Sequence, residues 1–215
     1  MQKFTYHSLA ELLTAAESCG VSLPHSADLS VLGTEKQIST SHVRLKNRLT
    51  VHPMEGFDGN EDGSPGEWTM RRCERFATGG AGLIWLEATA VVEEGRTSAS
   101  QLWLHEGNTD AFKALAERMH ALSDGAPLIL QLTHSGRFSR PHNVPAPVIT
   151  YHNPLMNEKM RIDPDYPVVT DAYLDTLPEK FGHAAKLARD AGFDGVDIKC
   201  CHKYLFSELL SAYNR

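Results

Sequence analysis

The chain has 215 residues, of which 41% are hydrophobic and 22% are charged, as in an ordinary globular protein. Its 21 basic and 27 acidic residues give a formal net charge of -6 and are scattered along the chain, which argues against nucleic acid or an anionic membrane surface as a partner. The opening residues lack an apolar signal core and no apolar run is long enough to span a membrane, so we expect a cytoplasmic location.

The N-terminal residues carry the signals of one amphipathic helix. Ser8 and Glu11 have the spacing of a capping box, leucines and alanines repeat at helical intervals, and Gly20 supplies a stop signal. This pattern predicts a helix over 8–19. The residues that follow show no strong period, so we assign 1–46 as an N-terminal extension.

From residue 47 onward, strand patterns and helix patterns alternate. The predicted strands lie at 48–54, 82–86, 127–132 and 193–198, and the predicted helices lie at 68–78, 109–122 and 174–191. The middle strands are apolar on both faces, as parallel strands covered by helices must be. Four strands that alternate with three helices indicate an α/β fold with a parallel sheet.

The connection at 134–170 interrupts this alternation. It holds six of the eleven prolines and almost no helical period. Long excursions of this kind in a compact domain are usually lids or binding loops. We therefore expect this proline-rich loop to lie over the carboxyl end of the third strand.

Polar residues follow every predicted strand, at the end where α/β folds gather their chemistry. Glu55 follows the first strand, Glu87 the second and His134 the third. The last strand runs into 199–204, which contains an ammonium, an imidazole and a phenol. In a parallel barrel these ends converge, so we expect the side chains to share one mouth.

Two chemistries fit such a mouth. In the first, Gln131 helps to hold a cofactor, His202 and Lys199 donate hydrogen bonds to a substrate oxygen, and Tyr204 supplies a proton. In the second, a divalent metal catalyses hydrolysis or isomerisation. The candidate metal ligands are His52, Glu87, His134 and His202. Against the metal, the first strand reads His-x-Met where a metal hydrolase barrel typically has His-x-His.

Three segments, in order along the chain, give a resemblance to a known family. They are 87–96, 131–137 and 191–205, which read Glu-Ala-Thr-Ala-Val through Glu-Gly-Arg, Gln-Leu-Thr-His-Ser-Gly-Arg, and Ala-Gly-Phe-Asp-Gly-Val-Asp-Ile followed by His-Lys-Tyr-Leu. They resemble the old yellow enzyme family of FMN-dependent NADH:flavin oxidoreductases and ene-reductases over roughly 44–215. The resemblance implies a TIM (β/α)8 barrel with FMN at its mouth, NAD(P)H as reductant, no metal, and a small-molecule substrate such as an activated alkene.

The resemblance also assigns roles to individual residues. Pro53, Met54, Ala88 and Gln131 would lie against the flavin. Lys199 and His202 would hold the substrate carbonyl, and Tyr204 would supply the proton.

The sequence departs from the family at two charged positions. Where the family usually has His-x-x-His or His-x-x-Asn, this chain has Lys199-x-x-His202. Glu55 stands where the family usually places Cys or Thr beside the flavin. A carboxylate there would make the flavin harder to reduce, because the two negative charges would repel each other.

The length of the chain is the third departure, because a full barrel needs roughly 250 residues and this sequence supplies four strands. We therefore expect 47–215 to be the N-terminal half of an FMN-binding barrel in a truncated form that is inactive alone. Its open sheet edges favour pairing with another copy, as a homo-oligomer. A catalytically silent fragment is the remaining alternative.

Overall fold

The computed structural model describes residues 4–38 and 43–212. From residue 50 onward it contains the predicted alternation of parallel strands and helices. Within the described ranges, no helix is long and apolar enough to cross a membrane.

The first element is α1 (Leu9–Ser18), which begins where the capping signal predicts. The hydroxyl of Ser8 accepts the backbone N–H of Glu11 at 3.2 Å. Gly20 follows the helix with a φ of +70°, a left-handed conformation that glycine adopts without a steric penalty. The helix predicted over 8–19 is confirmed.

A short hairpin, which the sequence analysis did not predict, precedes the main sheet. Its strands β1 (Lys36–Gln37) and β2 (Arg44–Leu45) pair antiparallel. Ile38 and Val43, which flank the hairpin strands, line a cavity of about 360 Å³ together with residues at the amino ends of the main strands. The sequence analysis did not predict these strands, because two residues are too few to show the alternation of apolar and polar side chains that marks a strand. The domain boundary at residue 46 stays a prediction.

The main sheet has four parallel strands, hydrogen-bonded in chain order. They are β3 (Thr50–Val51), β4 (Leu83–Ala90), β5 (Leu128–Thr133) and β6 (Gly195–Ile198). Each lies at a predicted position. The strand predicted at 48–54 is shorter than expected, since Pro53 has no N–H to donate to a ladder. The strand predicted at 82–86 is longer than expected, since pairing continues to Ala90, which also bridges to Trp103.

Helices connect the strands and cover the face that holds the core. They are α2 (Glu67–Thr78), α3 (Thr109–Leu122) and, after the long connection, a helix over Asp171–Asp190. Phe112 and Met119 of α3 belong to the same buried cluster as Leu128 and Leu130 of β5, and all four are 0% exposed. The three predicted helices are confirmed within a few residues.

The proline-rich loop at 134–170 is more ordered than expected. It contains α4 (Pro154–Met160), so the expectation of almost no helix is wrong for these seven residues. The side chain of Asn153 accepts the backbone N–H of Met156 at 3.1 Å, and Pro154 occupies the first turn. A seven-residue helix is too short to show a period. The loop then joins α5 (Asp171–Asp190).

Candidate active site

The two edge strands of the main sheet meet at their carboxyl ends through an ion pair. Glu55 follows β3 and Lys199 follows β6, and Lys199 Nζ lies 2.7 Å from Glu55 Oε1. These residues are 144 positions apart in sequence. Contact between residues that follow opposite edges of one sheet indicates that the sheet curves, as the sequence analysis expects of a barrel.

Tyr204 completes a three-residue cluster with this pair. It directly precedes α6 (Leu205–Leu209), and its hydroxyl donates to the Glu55 carboxylate, whose oxygens lie at 3.2 and 3.1 Å. Lys199 Nζ lies 4.3 Å from the centroid of the Tyr204 ring. Lys199 and Tyr204 are 5% and 8% exposed. Lys199 and Glu55 therefore compensate each other's charge in a largely buried site.

The phenol of Tyr204 is held in its protonated form. Burial raises the pKa of Tyr204, and the negative charge of Glu55 and the hydrogen bond donated to it raise the pKa further. A protonated phenol at the carboxyl end of the sheet can give a proton to a bound molecule. The neighbouring Lys199 ammonium would stabilise the phenolate that remains.

His202 and Lys203 link Lys199 to Tyr204 through a left-handed turn. Their φ angles are +59° and +61°, a conformation that costs a residue other than glycine about 1 kcal/mol. His202 is exposed, and its ring centroid lies 6.4 Å from that of Tyr204. The imidazole therefore stands beside the buried cluster, where a ligand can reach it.

The residues that the resemblance assigns to a flavin differ in accessibility. Met54 is 67% exposed and Pro53 is half-buried, so both offer apolar surface next to Glu55. Ala88 is fully buried, and its carbonyl accepts a hydrogen bond of 3.1 Å from Gln101 Nε2. A flavin could touch Ala88 only if its neighbours moved.

Gln131 presents one free polar atom. It is 6% exposed, and its Nε2 donates to Asp197 Oδ2 at 2.7 Å. Its amide oxygen has no partner in the described part of the chain and can accept a hydrogen bond. Apolar surface at Met54 and Pro53 and an amide acceptor at Gln131 are the kinds of group that bind a flat heteroaromatic ring with a polar edge.

A second network holds the loop that carries Glu55. Buried Glu87 accepts the backbone N–H of Gly56 at 2.9 Å and a hydrogen bond of 2.5 Å from Arg72. Arg72 also pairs with Asp58 at 2.7 Å. Burial raises the pKa of Glu87, and the charge of Arg72 opposes that rise. This network fixes the backbone next to the buried cluster.

His134 belongs to a third network. The backbone N–H of Gly136 donates to His134 Nδ1 at 3.0 Å, which leaves the ring proton on Nε2, 2.8 Å from the hydroxyl of Tyr173. Tyr173 in turn donates to Glu94 at 3.1 Å. Burial lowers the pKa of His134 to about 4, so the imidazole is neutral at pH 7.

The metal hypothesis gains no support from this arrangement. Its four candidate ligands were His52, Glu87, His134 and His202. Glu87 and His134 serve separate hydrogen-bond networks, and no cluster of three or more His, Cys, Asp or Glu with metal-site geometry is found in residues 4–38 and 43–212.

A buried pair that the sequence analysis missed holds the start of α6. Arg137 Nε donates to Glu208 Oε1 at 2.7 Å, and both side chains are at least 95% buried. The backbone N–H of Leu205 donates to the carbonyl of His134 at 3.1 Å. A Cβ on Gly136 would lie 2.8 Å from Leu205 Cα, so the turn after β5 packs directly against the start of α6. The sequence analysis could not predict this ion pair, because Arg137 and Glu208 lie 71 positions apart in sequence.

Comparisons with known proteins agree with this architecture. The model of the NADH:flavin oxidoreductase / NADH oxidase family matches residues 36–215. The chain is 34% identical over 172 residues to an NADPH dehydrogenase of Geobacillus sp. (strain WCH70), covering 79% of this chain and 48% of the relative. An NADPH dehydrogenase of Listeria monocytogenes serotype 4b (strain CLIP80459) gives the same identity and coverage. The chain thus spans about half the length of the curated relatives it matches.

Solved structures show the same fold. The Old Yellow Enzyme from Pichia sp. AKU4542 superposes with a TM-score of 0.71 at 22% identity, covering 86% of this chain and 50% of that chain. Morphinone reductase in complex with tetrahydroNAD gives a TM-score of 0.66 at 23% identity, with 81% and 50% covered. At these identities the likeness establishes the fold, and the chemistry must be argued from the site.

Proposed function

Because the chain belongs to the NADH:flavin oxidoreductase / NADH oxidase family, of the old yellow enzyme type, we propose that it is part of an FMN-dependent oxidoreductase. The enzyme passes hydride from NADH or NADPH, through the flavin, to an activated alkene or a similar acceptor. The observation that carries this proposal is the cluster of Glu55, Lys199 and Tyr204 at the carboxyl end of the sheet.

We propose that the four parallel strands are the first half of a (β/α)8 barrel. The chain covers about half of the Geobacillus NADPH dehydrogenase and about half of the Pichia Old Yellow Enzyme, which supports this assignment. The edge strand β6, where Val196 and Ile198 are 38% and 48% exposed, supports it too. A closed barrel has no sheet edges, so a second set of strands or another copy would cover these side chains.

The flavin ring would lie against Met54 and Pro53, with the amide oxygen of Gln131 accepting a hydrogen bond from its polar edge. When bound, FMN supplies hydride transfer between the nicotinamide and the substrate carbon. Barrels of this kind often hold a phosphate at the loops after strands seven and eight, so we assign no phosphate-binding residue to this chain. In this arrangement Ala88 packs within the sheet and does not contact the flavin.

Tyr204 is the proposed proton donor: burial and Glu55 raise its pKa and keep the phenol protonated, and the positive charge of Lys199 offsets the cost of forming the phenolate. Its phenol is protonated, and transfer of the proton to a substrate carbon leaves a phenolate beside the Lys199 ammonium. Accessible His202 would donate a hydrogen bond to the substrate carbonyl. This hydrogen bond would draw electron density toward the carbonyl oxygen, which makes the far carbon of the conjugated double bond a better hydride acceptor. Tyr204 would then protonate the carbon next to the carbonyl.

The Glu55–Lys199 pair changes one expectation from the sequence. An isolated carboxylate beside the flavin would make it harder to reduce. Lys199 lies 2.7 Å from Glu55, so the pair presents no net charge to the ring. We therefore propose that Lys199 neutralises and positions Glu55, and that it reaches the substrate oxygen less directly than His202 does.

The proposal can be tested in a complete barrel. The chain is joined to the C-terminal half of the Geobacillus NADPH dehydrogenase, and we call this protein the barrel chimera. We expect it to purify with the visible absorption of bound flavin and to oxidise NADPH when an activated alkene is present. A folded chimera that remains colourless after loading with FMN would contradict the proposal, and stoichiometric zinc or manganese by elemental analysis would favour the metal enzyme instead.

A further inference from the structure

A cavity formed by described residues lies outside the buried cluster, between α4 and α6. Its volume is about 500 Å³. Leu155 and Met156 form an apolar wall on the α4 side, and Leu155 is 79% exposed. Lys159 and Lys203 also line the cavity. The family assignment gives no role to this cavity.

The charge in this cavity is opposite in sign to that of the whole chain. The chain carries a formal net charge of -6. Lys159 and Lys203 form no ion pair with any carboxylate in the described part of the chain, and the nearest polar contact of Lys203 is 3.9 Å from its Nζ to Met156 Sδ. The third basic residue of the lining, Arg137, is neutralised by Glu208. Two uncompensated ammonium groups therefore set the potential of the cavity.

Polar groups that can orient a ligand share the cavity lining with the apolar wall. The hydroxyl of Tyr151 lies 3.2 Å from Ser211 Oγ and accepts a hydrogen bond of 2.9 Å from Asn153 Nδ2. The hydroxyl of Ser207 also lines the cavity, one residue before Glu208. The lining thus combines an apolar surface, hydroxyl donors and two cations, the composition of a small-molecule site.

Lys203, whose side chain supplies one of the two cations, has a strained backbone conformation. Its φ is +61° and follows the +59° of His202, so two consecutive residues other than glycine are left-handed. Strained backbone of this kind is found at ligand clamps more often than elsewhere. A glycine at residue 203 would adopt the same conformation at no steric cost. The strain at Lys203 is therefore consistent with a ligand-binding role for this turn.

We propose that this cavity binds an organic anion whose carboxylate or phosphoryl group lies between Lys159 and Lys203 and whose apolar body packs on Leu155 and Met156. Lysine binds carboxylates and phosphates alike as a compact point charge. The inference does not depend on the flavin assignment, because it uses none of Glu55, Lys199 and Tyr204, and Lys203 enters it only through its own side chain, which lines the cavity.

The test is calorimetric titration of the 215-residue chain at low salt with two probes, benzoate and inorganic pyrophosphate. Binding of benzoate identifies a carboxylate ligand and binding of pyrophosphate a phosphoryl ligand. We expect Lys159→Gln and Lys203→Gln each to weaken binding about fivefold and the double variant to weaken it more than tenfold. The matched control is Lys186→Gln, which removes an exposed lysine of α5 and should leave affinity unchanged.

A second variant separates ligand binding from folding. Lys203→Gly removes the cation and the strain together, so it should weaken binding as Lys203→Gln does and leave the thermal midpoint equal to or above that of the parent chain. The proposal is overturned if neither probe binds. It is equally overturned if Lys186→Gln weakens binding as much as Lys203→Gln, or if Lys203→Gly retains full affinity.

Discussion

The neighbouring strands β5 and β6 differ in how deeply their side chains are buried. Leu130 of β5 is in register with Val196 of β6, and Leu132 with Ile198, so each pair faces the same side of the sheet. Both leucines are 0% exposed, whereas Val196 and Ile198 are 38% and 48% exposed. The core of the described chain ends between these two strands.

The poorly covered strand is the one that carries the candidate site. Lys199 directly follows β6, and Tyr204 comes five residues later. Backbone hydrogen bonds to β5 hold β6 on one side, and polar side-chain contacts hold β6 and the residues that follow it. These contacts are Lys199 with Glu55, Asp197 with Gln131, and Glu208 with Arg137. The comparison teaches that apolar packing holds the interior strands, whereas β6 and the site that follows it depend on a few buried polar contacts.

The largest effect should come from breaking the buried Arg137–Glu208 pair. Arg137→Met leaves a carboxylate buried without its partner, so we expect the free energy of unfolding to fall by about 3–5 kcal/mol. Chemical denaturation measures this loss. The double variant Arg137→Met/Glu208→Leu removes both charges and should recover much of the stability. Equal losses in the single and double variants would show that the pairing of charges is not the cause.

Matched truncations on the two strands test the comparison directly. Leu130→Ala should lower the free energy of unfolding by about 2–5 kcal/mol, because it opens a cavity in the core. Val196→Ala, at the same register, removes exposed methyl groups and should cost less than about 1 kcal/mol. Urea unfolding of both variants gives the two values. Similar losses would mean that β6 is covered in solution, for example by another copy of the chain.

The pH dependence of stability tests the buried imidazole at the end of β5. The folded-state pKa of His134 is about 4, below its unfolded value near 6.5, so acid favours the unfolded state, which binds the proton first. Stability should fall by about 2 kcal/mol between pH 7 and pH 5 on account of this residue. Urea midpoints at the two pH values, compared with those of His134→Gln, isolate its share. If the stability of His134→Gln falls between pH 7 and pH 5 as much as that of the parent chain, another residue causes the acid sensitivity.

Much of the fold could be predicted from the sequence, because long elements leave a periodic pattern. The predicted helix at 109–122 matches α3 residue for residue, and the helix at 8–19 was marked by its cap and stop signals. The hairpin of β1 and β2 and the short helix α4 were missed, because two to seven residues are too few to show a period.

The sequence analysis predicted which residues belong to the candidate site, but it did not predict which of them contact one another. Tyr204 and Lys199 were identified as part of the mouth, and Glu55 as a charged departure from the family. That Lys199 and Glu55 compensate each other depends on sheet curvature, which local sequence does not encode. Arg137 and Glu208 lie 71 positions apart, so their pairing likewise required the folded chain.

The most direct test of the account is the behaviour of Tyr204→Phe in the barrel chimera, with the two half-reactions followed separately by stopped-flow absorbance. Reoxidation of the reduced flavin by an activated alkene should slow by about a hundredfold or more, since the proton donor is gone, while flavin reduction by NADPH stays nearly unchanged. The matched control is Tyr166→Phe, which removes a hydroxyl that donates a hydrogen bond to the carbonyl of Pro147. This variant should leave the rates of both half-reactions unchanged. An equal loss in both half-reactions, or no loss in either, would contradict the assignment of Tyr204 as proton donor.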